Sequence, residues 1–157
     1  MNNVDFNLLD QQLRALLDDQ SDALADTANF VALLYQALDD VNWLGVYVLR
    51  GKDLVLGPFQ GLPACVRIPL GKGVCGDAAA RRETLRVADV HAYPGHIACD
   101  PASRSEIVVP LLVRSELLGL LDIDSPSLDR FSQRDQDGLE LLCRSFSELL
   151  ARHDGFI

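Results

Sequence analysis

The sequence predicts an α+β fold: a central antiparallel sheet of about five or six strands, with N- and C-terminal helices packed on one face. Three observations predict it. Apolar residues recur at helical spacing at both ends of the chain, the middle alternates with a period of two, and short polar turns join neighbouring strands. The 157 residues suffice for one substantial core, and the whole chain, 1–157, reads as one domain without a linker, repeat or low-complexity tract.

Residues 4–18 read as a short amphipathic helix. Residues 21–40 read as a longer one, opening at Ser21 or Asp22, with Leu24, Ala28, Val31, Leu34, Tyr35 and Leu38 on its apolar stripe. WLGVYVL at 43–49 and DLVLGPF at 53–59 form a hairpin about Arg50-Gly51-Lys52. A short strand near 66–68 leads through Leu70-Gly71-Lys72-Gly73 into a helix at about 74–82, whose glycines turn the chain. A brief strand at 85–88 precedes a long polar loop, 89–105. IVVPLLV at 107–113 and LLGLLDID at 117–124 make the last hairpin, with Pro110 marking an edge or a bulge. Ser132 caps a final helix to about 152, burying Leu139, Leu142, Cys143, Phe146, Leu149 and Leu150.

Composition narrows the function classes. A net charge of -9 without a basic stripe argues against nucleic acid and anionic membrane surfaces. The start, MNNVDFNLLDQQ, lacks a basic segment followed by an apolar run, and no stretch approaches the ~20 apolar residues of a membrane helix. The expected compartment is the cytosol.

Strand alternation then groups side chains. Trp43, Gly45 and Tyr47 share a face, which suggests a slot walled by two rings, or ordinary core. Asp122 and Asp124 share a face continuing the row Leu118, Leu120. Paired carboxylates in an apolar strand resist desolvation, so they mark either a cation site for an ammonium group or a strand fraying into solvent. Glu106, at the mouth of the neighbouring strand, adds a third acid. Crowded acids raise one another's pKa, which lets one stay protonated and donate a proton.

The four cysteines separate by context. Cys143 lies on the apolar stripe of the last helix and reads as structural. Cys75 opens a helix after GKG, where helix amides and Lys72 favour a thiolate; structural and redox roles both fit. Cys65 follows GLPA in a loop, and Cys99 sits beside His96 in a polar loop with little apolar cover; both read as chemical. A zinc site from Cys65, Cys75, Cys99 and His91 or His96 matches no compact zinc spacing. A cysteine hydrolase would leave the acids and the other thiols without work. GKGVCG lacks the frame of a phosphate-binding Walker loop.

Three stretches, GPFQGLPACVRIPLGKGVCG, VHAYPGHIACDPASRSEIVVP and LLGLLDIDSP, resemble the free methionine-(R)-sulfoxide reductases, which are stand-alone GAF-domain proteins. The likeness runs from about Asn42 to the last helix, and more weakly over the N-terminal helices. It implies a GAF-like fold and thiol-dependent reduction of free L-methionine-(R)-sulfoxide, without metal or organic cofactor. It implies Cys99 as the catalytic cysteine, Cys65 as its disulfide partner, and Cys75 as a third thiol able to exchange. It implies Trp43 and Tyr47 around the substrate's methyl end, Glu106, Asp122 and Asp124 as binding carboxylates, and Glu106 or Asp124 as proton donor. A thioredoxin-like dithiol protein would restore the thiols, and the 89–105 loop is expected to act as a lid. The sequence leaves the oligomeric state open, a homodimer through the helices included. The competing reading is a non-enzymatic GAF sensor of small molecules; such a domain needs no thiols and sits beside an output module.

Overall fold

The computed structural model describes residues 3–17, 22–97, 99–153 and 155–156. Helices α1 (Phe6–Leu16) and α2 (Ala23–Ala37) lead into strands β1 (Trp43–Arg50), β2 (Asp53–Gln60) and β3 (Arg67–Pro69). Helix α3 (Gly73–Arg81) follows, then β4 (Leu85–Val87), a 3-10 turn at Val90–Ala92, β5 (Ser105–Val113), β6 (Glu116–Ser125) and α4 (Gln133–Ala151). The strands form one antiparallel sheet in the order β3-β2-β1-β6-β5-β4. β1 and β6 lie at its centre, where both faces are covered and the strand residues are almost continuously buried.

Helices α2 and α4 cover one face of the sheet, and α1 packs on α4 within the same core. Leu44, Val46 and Val48 of β1, Ile107, Val109 and Leu111 of β5, and Leu121 and Ile123 of β6 pack against Leu13, Phe30, Leu34, Leu142 and Phe146. Phe30 and Phe146 stack with centroids 4.1 Å apart, joining α2 to α4. α4 starts on a reciprocal cap: the Ser132 hydroxyl accepts from the Asp135 amide and the Asp135 carboxylate accepts from the Ser132 amide.

The buried face of α2 differs from the expected stripe. Ala23, Asp26, Thr27, Phe30, Val31 and Leu34 face inward, whereas Leu24 is 69% exposed and Ala28 is exposed. The stack of Phe30 on Phe146 sets the rotation. The Thr27 hydroxyl, donating to the Ala23 carbonyl at 2.6 Å, makes that polar residue fit to bury. Asp22 caps this helix; the expected alternative, Ser21, and the expected end of α1 at Asp18 lie outside the described residues.

Two irregularities shape the other face. β4 pairs with β5 only from Glu106 to Val108, so Pro110 stands where β5 has β6 alone beside it and its missing N–H costs little. Past it, Leu111 pairs with Gly119 and Leu112 with Leu117, which leaves Leu118 as the extra residue of a bulge. Leu118 therefore packs with the helix side, and the expected row on the opposite face begins only at Leu120.

Candidate active site

The second face of the sheet is roofed by α3 and two loops instead of long helices. Its floor comes from three strands held in register. Trp43 and Glu106 both pair with Asp124, Gly45 and Val108 both pair with Asp122, and Tyr47 pairs with Leu120. Side chains that are distant in sequence thus meet on one patch. Asp122 and Asp124 do not fray into solvent: β6 runs on to Ser125, and Asp122 is 6% exposed. Glu106 lies within β5 and not at its mouth, because that strand begins at Ser105.

The expected slot above Gly45 is filled. A Cβ at Gly45 would meet the tip of the Trp43 indole at 2.5 Å, so glycine serves there to let the ring fold back over its own strand. The indole stacks between Phe59, at 5.4 Å, and Tyr47, at 6.0 Å. Both rings also hold the loop that carries Cys65. The Trp43 indole N–H donates to the Leu62 carbonyl at 3.0 Å, and the Tyr47 hydroxyl donates to the Cys65 carbonyl at 2.8 Å. Burial and the surrounding carboxyls push the Tyr47 phenol far up, so it remains a donor.

Cys65 and Cys99 are joined in a disulfide, with Cα atoms 6.2 Å apart across 34 residues of sequence. The second loop reaches this bond because both of its ends are tied down. The Tyr93 hydroxyl donates to Asp77 of α3 at 2.5 Å, and burial with that bond pushes its pKa up to about 12. After the cysteine, the Asn42 amide donates to Asp100 at 2.9 Å and to the Ser103 hydroxyl at 3.0 Å. His96 lines the cavity below; burial, with His91 nearby, lowers its pKa, which favours the neutral ring.

The cavity between floor and roof measures about 40 Å³, room for about three water-sized bodies. Trp43, Tyr47, Cys99, Glu106, Asp122 and Asp124 all line it. Cys75 lines it too, but not as the expected thiolate. Burial and then the acids Asp122, Glu106 and Asp124 raise its pKa well above that of a free thiol. The Cys75 thiol donates to Glu106 Oε1 at 3.8 Å. Burial, then Asp122 and Asp124, raise Glu106 well above the usual carboxylate range. Burial and the charges of Asp122 and Asp100 do the same for Asp124. Burial raises Asp122 as well, but hydrogen bonds from Glu106 and Cys75 oppose the rise. Of the coupled pair, Glu106 is shifted further towards the neutral acid and Asp122 less, because the hydrogen bond between them favours the proton on Glu106. Cys143 lies on the helix side of the sheet as a buried thiol, as expected.

A GAF domain model matches residues 9–152. A free methionine-R-sulfoxide reductase of Escherichia coli is 50% identical, with 98% of this chain and 94% of that protein covered. The chain belongs to the GAF-domain family of free methionine-R-sulfoxide reductases. Among solved structures, the fRMsr of Staphylococcus aureus in complex with substrate is 46% identical, with a TM-score of 0.89 over 95% of this chain and 97% of that one. The Neisseria meningitidis free methionine-R-sulfoxide reductase in complex with its substrate is 41% identical, with a TM-score of 0.87 over 92% and 87% of the two chains.

Sequence reasoning missed Phe59, Asn42 and Ser103. Phe59 was hidden by a bulge: the register set by the hairpin turn would put Pro58 opposite Gly45, and a shift between Gly45 and Tyr47 brings Phe59 there instead. Asn42 and Ser103 carried no signal, since their pairing spans 61 residues and depends on the loop's path.

Proposed function

We propose that this chain reduces free L-methionine-(R)-sulfoxide to L-methionine. The observation that carries the reading is the Cys65–Cys99 bond standing over a cavity that combines aromatic rings with the three carboxyl groups of Glu106, Asp122 and Asp124. Each group suits one part of that substrate. The Trp43 and Tyr47 rings take the S-methyl, the Asp122 carboxylate takes the ammonium, and Glu106 donates a proton to the sulfoxide oxygen, with Asp124 beside it.

The Cys99 thiolate attacks the sulfoxide sulfur, whose oxygen is protonated by Glu106. Oxygen passes to the cysteine sulfur, methionine leaves as the two-electron-reduced thioether, and Cys99 becomes a sulfenic acid. The Cys65 thiol condenses with it, releasing water and forming the disulfide. A dithiol protein of the thioredoxin class returns both cysteines to thiols. Cys75 keeps its proton among the acids and exchanges slowly, so its share in the cycle is secondary. A free amino acid fits beneath this roof only if the expected lid, the 89–105 loop, lifts, and the closed roof excludes a methionine sulfoxide held within a peptide chain.

The test is a coupled assay of NADPH loss with thioredoxin and its reductase, run with the separate R and S isomers of free methionine sulfoxide. The R isomer should be consumed, and Cys99→Ser should show no measurable turnover. Consumption of neither isomer would refute the reading and favour a sensor.

A further inference from the structure

Cys75, Glu106 and Asp122 meet on the cavity floor, each supplied by a different element: α3, β5 and β6. One ligand atom from each lies within 4.8 Å of the other two, and all three residues are buried. Asp122 Oδ1 is buried with no hydrogen-bond partner, on a residue that lines the cavity. A buried carboxylate oxygen left unpaired is costly, and a cation is the partner that would relieve it.

We propose that Cys75, Glu106 and Asp122 form a zinc-binding site. A thiol with two carboxylates suits a borderline cation, and three protein donors with an open fourth position match the ligand number of accessible zinc sites. The separation of 3.8 Å between Cys75 Sγ and Glu106 Oε1 is close to the edge of a zinc tetrahedron. That edge is about 3.6 Å for bonds of about 2.3 Å to sulfur and about 2.1 Å to oxygen. Size agrees as well: a cavity of about 40 Å³ takes an ion with one or two waters, whereas an amino acid requires the roof to move. This donor set differs from the one the sequence suggested, because Cys65 and Cys99 are bonded to each other and give no thiolate.

Binding displaces the Cys75 and Glu106 protons to solvent and neutralises Asp122. Turnover would then fall, because Glu106 could no longer protonate a sulfoxide. That consequence rests on the reductase reading; metal binding itself does not.

The disulfide form gives a clean test, since Cys75 and Cys143 are its two free thiols. Cd²⁺ is titrated into the oxidised protein while the thiolate-to-cadmium charge-transfer absorption is followed in the ultraviolet, and Zn²⁺ is then added to displace it. The expected result is saturation at one Cd²⁺ per chain and displacement by Zn²⁺. Cys75→Ala should lose the band, and Asp122→Asn, which keeps the thiol, should weaken binding at least about tenfold. Cys143→Ala should leave the titration unchanged. No band on saturation with Cd²⁺, a band that survives Cys75→Ala, or one that disappears with Cys143→Ala would each overturn the proposal.

Discussion

The two faces of one sheet are built from the same strands yet obey opposite rules. On the helix side, β1, β5 and β6 present Leu44, Val46, Ile107, Val109, Leu121 and Ile123, all apolar and buried under the helices. On the other side, the residues between them include Trp43, Glu106, Asp122 and Asp124. Period-two alternation thus separates a face that stabilises the fold from one that stores unfavourable chemistry. The two free thiols make the same point. Both are buried and both have raised pKa values, Cys143 mainly through burial and Cys75 through burial together with three carboxyls. Only the second lines the cavity beneath the disulfide, in hydrogen-bond contact with Glu106.

The sharpest way to separate the faces is Glu106→Gln. It keeps the shape of the side chain but cannot release a proton to a sulfoxide, so kcat should drop about 10²- to 10⁴-fold. Stability should move the other way. The folded pKa of Glu106 is raised, so its stabilising share is fully present below the unfolded value of about 4.3 and is lost as pH rises through the folded one. Glutamine does not titrate, so the variant's Tm should exceed the parent's at neutral pH, and the gap should close below about pH 4. Equal Tm values at pH 7 would mean that the acids on this face carry no strain.

The converse change lies on the helix side. Phe146→Ala removes a fully buried ring stacked on Phe30 and should cost about 3–5 kcal/mol in urea unfolding. Its kcat/KM, measured well below the new midpoint, should stay near the parent's. A large loss of turnover in folded protein would show that the faces are mechanically coupled through the sheet. The smallest effect belongs to Cys143→Ala: a destabilisation of about 1 kcal/mol and unchanged turnover. If that variant were inactive, the division of the thiols by face would be wrong.

The helices, the six strands and the two-sided sheet were legible because alternation and turn chemistry are local signals. The meeting of Glu106 with Asp124 and of Trp43 with Asp124 was half legible: the residues stood out, but their register depends on strand pairing across the fold. Three features had no local signature. The bulge at Leu118 flips a side chain that simple alternation places on the wrong face. The Trp43 indole closes the space above Gly45, a choice of ring orientation set by Phe59 and the Leu62 carbonyl. The raised pKa of Cys75 follows from burial first and then from acids on two distant strands, whereas the sequence displayed only its helix and Lys72.

The most direct measurement is a single turnover without recycling. Fully reduced protein is mixed with excess free L-methionine-(R)-sulfoxide, methionine is counted, and the cysteines are mapped by mass spectrometry. The account predicts one methionine per chain, a new Cys65–Cys99 bond, and Cys75 and Cys143 still as thiols. Methionine formed with the Cys65 and Cys99 thiols intact, or equal consumption of the S isomer, would contradict it.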